Sequence, residues 1–142
     1  MAINQRRLYE KNKIGYVLVL FHIVLNVFYS INTIKHMDTS YDVGIFIMIT
    51  IMLLLVGFLT AVKVQNYSML WSMVAIIIGL FQFSRLLFID NPVDGMFGSV
   101  LIIALVLSGI LCVLGGLVSI KNTQVRRKCV KEYNRKNDYG IK

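Results

Sequence analysis

Carboxylates are scarce in this 142-residue chain, and their placement tells more than their number. Seven Asp and Glu stand against fifteen Lys and Arg, a formal net charge of +8. None of the seven lies within the long apolar runs at about 14–34, 44–62, 68–89 and 99–120. Proton- and sodium-coupled carriers usually hold a carboxylate inside the membrane, so its absence weighs against that class. Cysteine is nearly absent too. Cys112 sits in the fourth run and Cys129 in the basic tail, so no stabilising disulfide is expected. Cys129 reads as an inert thiol, with acylation beside a membrane as the alternative. The chain lacks His-Glu-x-x-His, a nucleophile elbow, a phosphate-cradling glycine loop and any cysteine pair with metal-ligand spacing. Its loops are too short for a soluble catalytic domain. Neither an enzyme, a cofactor nor a metal site is expected. Poverty in Ala and Pro, with many Ile, Asn and Lys, is the bias of an AT-rich bacterial genome.

What is present is hydrophobic on every face. The chain is 57% hydrophobic, and each apolar run is about the length a helix needs to cross the hydrocarbon core. A backbone in lipid must satisfy its own hydrogen bonds, which makes these runs helices. The predicted class is an all-α integral membrane protein with four transmembrane helices arranged as two hairpins. The first run is too long for a signal-peptide core and is not followed by a small-x-small cleavage site, so it counts as a membrane helix.

Charge orients the bundle. Residues 1–13 carry Arg6, Arg7, Lys11 and Lys13 against Glu10, and Lys63 lies between the second and third runs. The tail at 121–142 carries Lys121, Arg126, Arg127, Lys128, Lys131, Arg135, Lys136 and Lys142. The other two loops are acidic, with Asp38 and Asp42 in one and Asp90 and Asp94 in the other. The positive-inside rule then puts both termini in the cytoplasm of a multi-pass cell-membrane protein. Val125, Cys129 and Tyr133 recur every four positions, the pattern of a short interfacial helix beside anionic headgroups. Nucleic-acid binding is not expected, because no reader motif or aromatic interleaving accompanies the charge.

The acidic loops resemble each other. Each has two aspartates four apart, then a glycine and an aromatic: Asp38, Asp42, Gly44, Phe46 and Asp90, Asp94, Gly95, Phe97. The helices they open end alike, in Gly57-x-Leu59-x-x-x-Lys63 and Gly115-x-Leu117-x-x-x-Lys121. Poor matching of the intervening helices favours shared loop chemistry over duplication. Weak divalent-cation binding by these aspartates is the lesser alternative to solvated loops.

Polar residues inside the membrane are the functional candidates. His22 and Asn26 share a face of the first helix, and Gln82 and Arg85 share a face of the third. As a track they would serve a proton, an ion or a small solute; as fasteners they would tie helices together, which the missing carboxylates favour. Asn26 and Gln82 are expected at similar depth, and Arg85 is expected to reach outward to Asp90 or Asp94. The fourth helix carries Ala104, Ser108, Cys112, Gly115 and Gly116, a small-residue strip that admits another backbone closely, from within the bundle or from a partner. Met48 and Met52 read as flexible apolar residues and Trp71, Tyr67, Tyr16 and Tyr41 as interfacial anchors.

The function expected from these features is non-enzymatic. The chain would act through protein–protein contacts in the bilayer, as an accessory subunit of a membrane complex or an immunity protein against a membrane-active toxin. Its partner would be a membrane protein or a second copy. The competing class is a small oligomeric channel or transporter built on His22, Asn26, Gln82 and Arg85.

Overall fold

The structure, a computed structural model, describes residues 11–37, 41–88 and 95–139, with side chains described at all of these except 42, 87, 88 and 136–139. Four helices fill the described residues: α1 (Lys13–Ile34), α2 (Tyr41–Gln65), α3 (Met69–Phe88) and α4 (Gly95–Tyr139). Each is long and apolar enough to cross a membrane, and no strand occurs among the described residues. The expected boundaries of the first three helices hold to within three residues.

The fourth helix differs. It begins at Gly95, whose φ of +81° suits a residue without a side chain, and continues unbroken for 45 residues. That is about 67 Å, against a hydrocarbon core of about 30 Å. The apolar run ends at Ile120, but the lysines, arginines and glutamate that follow are good helix formers and no Gly or Pro interrupts them before Gly140. Lipid contact therefore stops where the helix does not. The basic segment continues α4 instead of forming the separate short interfacial helix that its four-residue spacing suggested.

Side chains are distributed inside-out. Phe21, Phe28, Met48, Met52, Leu55, Phe58, Leu70, Ile77, Ile103 and Leu114 face outward. His22, Asn26, Thr60, Ser72, Gln82, Arg85, Ser108 and Ser119 are buried. In water such an exterior would be an aggregation surface, whereas in lipid it is the solvated face. This pattern, on four helices of sufficient length, makes the chain a multi-pass membrane protein.

α4 packs most extensively against α3 and α1; α2 packs on α1 and more lightly on α3. The α3–α4 contact is backbone on backbone. A Cβ built at Gly79 would come 2.9 Å from the Gly109 carbonyl oxygen, and one at Gly116 would come 2.7 Å from that of Ser72. Ala75 and Cys112 fill the space between these glycine contacts, with Cys112 Sγ donating to the Ala75 carbonyl at 3.1 Å. On the α1 side, Gly115 lies against Leu18 and Val19. The strip of Ala104, Ser108, Cys112, Gly115 and Gly116 is buried throughout and closes the bundle internally.

One end, here the basal end, is tied by Asn12. Its backbone N–H donates to Gln65 at 3.1 Å, and its Oδ1 caps α1 by accepting from Gly15 N at 3.3 Å. Oδ1 also accepts from Asn122 at 2.9 Å, while Nδ2 donates to Ser119 at 3.0 Å. Ser72 at the start of α3 completes the set, with its Oγ 2.7 Å from that of Ser119. The start of α1, the end of α2, the first turn of α3 and the middle of α4 therefore meet here. The α2–α3 turn closes with Ser68 N–H donating to Lys63 O at 3.2 Å and Tyr67 N–H to Val64 O at 3.1 Å. That double bond pattern requires a left-handed residue, usually glycine; here Tyr67 takes φ 59°. Its ring lies 4.5 Å from the Arg126 guanidinium carbon, which attaches the basic part of α4 to the turn.

Candidate functional site

The opposite, distal end is organised around a buried cation. Buried positions on α3 recur at Ser72, Ala75, Gly79, Gln82 and Arg85, a stripe that carries the last two inward. Arg85 is only 4% exposed, Gln82 0% and Asn26 1%. Arg85 Nη1 donates to Asn26 Oδ1 at 2.9 Å and to Gln82 Oε1 at 3.1 Å. Because arginine only donates, both amides must turn their oxygens toward it. The guanidinium carbon lies 5.2 Å from the Tyr29 ring centroid and 5.3 Å from that of Phe46. Three helices thus hold one side chain, with the negative faces of two rings toward its charge.

Among the described residues, Nη1 alone of the guanidinium nitrogens has a partner. Arg85 Nε, Arg85 Nη2 and Gln82 Nε2 are buried without an acceptor. The hydroxyls of Ser30, Thr33 and Thr50 are likewise unpartnered. Elsewhere in the chain such hydroxyls bond the carbonyl four residues back: Thr60 at 2.7 Å, Ser72 at 2.9 Å and Thr123 at 2.8 Å. Ser30, Thr33 and Thr50 make neither that bond nor any other to the described residues.

The structure divides the polar residues singled out by sequence. Asn26, Gln82 and Arg85 come together, with Asn26 and Gln82 bonding the same arginine nitrogen. Arg85 does not reach outward in search of an acid; it turns into the bundle, where three helices offer amide oxygens and ring faces. Asp38, Asp90 and Asp94 lie outside the described residues, and Asp42 falls in the first turn of α2 with its side chain undescribed. His22 stands apart. Its Nδ1 lies 3.1 Å from the Ser108 carbonyl oxygen and 2.8 Å from Ser108 Oγ, and that hydroxyl donates back to the His22 carbonyl at 3.2 Å. Bonding to a carbonyl requires the proton on Nδ1, so this pair is a clasp between α1 and α4. Met48 and Met52 face outward, away from any of these groups.

Sequence reasoning missed Asn12 and the two rings. Asn12 had a legible signal, a capping residue immediately before an apolar run. Tyr29 and Phe46 had none, since neither spacing nor composition shows which aromatic meets a cation on another helix. No protein-family model, curated protein or solved structure matches the chain.

Proposed function

We propose that this is a small non-enzymatic protein of the bacterial cytoplasmic membrane, with its helices paired as two hairpins and both termini in the cytoplasm. It acts through protein–protein contacts, as an accessory subunit of a membrane complex or as an immunity protein against a membrane-active toxin. The supporting observation is the extension of α4. From Lys121 to Tyr139 the helix runs roughly 28 Å beyond its apolar part, mostly exposed, and presents Lys121, Arg127, Lys128, Lys131 and Arg135. Internal packing already occupies the small-residue strip, and this rod offers a basic surface to an acidic partner. Its first turns also lie where anionic headgroups would gather.

Orientation is tested with cysteines. The basal end carries Lys11, Lys13, Lys63 and Arg126, and the positive-inside rule assigns it to the cytoplasm. A membrane-impermeant maleimide should label Cys129 only in inverted vesicles and a Met96→Cys substitution only in intact cells. Cys112, fully buried, should remain silent in both. Labelling of Cys129 from outside would overturn the assignment.

Contact is tested by photocrosslinking in native membranes, with the reactive residue at Lys128, Lys131 or Arg135 and, for comparison, at lipid-facing Met48 or Met52. The rod positions should give one discrete adduct with another membrane protein. Adducts at multiples of the chain's own mass would redirect the reading to self-association, and none from any position would end it.

The buried arginine favours a second reading, a small oligomeric channel or transporter. In proteoliposomes that reading requires an ion or solute flux that Arg85→Met abolishes in a protein still folded.

A further inference from the structure

We propose that the free edge of Arg85, together with Gln82 Nε2, binds one oxyanion, a carboxylate or a phosphate, in the distal half of the bundle. This goes beyond a role in partner contact and requires only the membrane-embedded fold. The first ground is which nitrogens are matched. Nη1 is taken by Asn26 and Gln82, whereas Nε and Nη2 are buried with no acceptor. In a planar guanidinium these two nitrogens form one side, with N–H bonds pointing the same way at the spacing of two oxygens on a carboxylate or phosphate. Had the unmatched pair been Nε with Nη1, or only one nitrogen, the fork would be absent.

The second ground is orientation. Rings at 5.2 and 5.3 Å and the two hydrogen bonds to amide oxygens fix the guanidinium, so its unmatched edge is held in place before any ligand arrives. The third is composition. Gln82 Oε1 is committed to Arg85, which leaves its Nε2 as a third donor. A site with three donors and a positive charge selects an anion over a cation or a neutral acceptor. Water could accept these bonds but would leave the charge unneutralised at a depth where that is costly. A halide could neutralise it but lacks two oxygens for the fork. Ser30, on the Asn26 face one turn on, with Thr33 and Thr50, supplies further unpartnered hydroxyls at the same end.

The full-length protein in nanodiscs tests this by thermal unfolding. Acetate and inorganic phosphate are compared with chloride at constant ionic strength, in phosphatidylcholine. A saturable rise in Tm of roughly 5 °C or more is expected at about 100 times the half-saturating concentration. Phosphatidylglycerol discs without soluble oxyanion form the second arm, where a comparable rise identifies a lipid phosphate as the source. Arg85→Lys keeps the charge but has no fork, so apparent affinity should fall by about tenfold or more. Arg85→Met should abolish the response, and Lys13→Gln at the basal end should leave it intact. The proposal fails if neither arm differs from its control, or if Arg85→Met responds like the unaltered protein. It also fails if acetate acts only after Asp38, Asp42, Asp90 and Asp94 are all changed to Asn, because the chain's own carboxylate is then the occupant.

Discussion

Gly79→Leu is expected to separate α3 from α4 and to lower stability by at least about 3 kcal/mol, the upper end of overpacking costs. The reason is what the new side chain meets. A Cβ alone would stand 2.6 Å from Val113 Cγ2, 2.9 Å from the Gly109 oxygen and 3.0 Å from Val113 N. A flexible side chain can retreat by a rotamer change, but two backbone atoms retreat only if the helices part. Parting them also breaks the Cys112–Ala75 contact and loosens Gly116 from Ser72, one or two turns along the same seam. Gly44→Leu is the matched control, since a Cβ there meets nothing within 4 Å and the residue faces outward. It should stay within about 0.5 kcal/mol of the unaltered protein. Thermal unfolding of both variants in one detergent decides the matter, and equal midpoints would mean that the glycine contact does not hold the bundle.

That seam was half visible in the sequence. Small residues at four-residue spacing show that some backbone approaches closely, because the spacing is a property of one helix. They do not show whose backbone it is. Gly79 and Gly116 look alike as letters, yet they oppose the Gly109 and Ser72 carbonyls on different helices, a matter of tertiary register. The end of α4 is hidden from the sequence for a different reason. Hydropathy reports the edge of the lipid at Ile120, whereas helix propensity carries the backbone on to Tyr139.

The arginine site divides in the same way. Burial of Asn26, Gln82 and Arg85 follows from the cost of leaving them in hydrocarbon, and rise per residue puts the two amides at similar depth. The partner of Arg85 could not be read off. Five residues away along the chain Asp90 offers opposite charge, and a local pairing is the natural expectation. Instead the long side chain follows the stripe of its own helix toward α1, where an amide oxygen and a ring on successive turns receive it. His22 shares its face with Asn26 but a different neighbour claims it, since α4 lies closest at that level and offers Ser108. One helical face thus serves two interfaces, which a face-counting argument cannot separate.

Substitutions around Arg85 should have unequal effects. Asn26→Leu removes one of the two acceptors of a buried cation and should cost about 2–3 kcal/mol, the range for a hydrogen bond to a charged group plus the donor left bare. Arg85→Met removes the charge itself. Asn26 and Gln82 can then bond one another, the apolar chain packs between Tyr29 and Phe46, and stability should be unchanged or higher. Combining the two changes should recover most of what Asn26→Leu loses, because no cation remains to be stranded. Chemical unfolding of the three variants in one detergent tests the order, and a larger loss for Arg85→Met than for Asn26→Leu would make the guanidinium a structural fastener. The expected order has a consequence for chemistry. A group whose removal the fold tolerates, yet which three helices orient with one edge unmatched, is placed to hold something other than the helices.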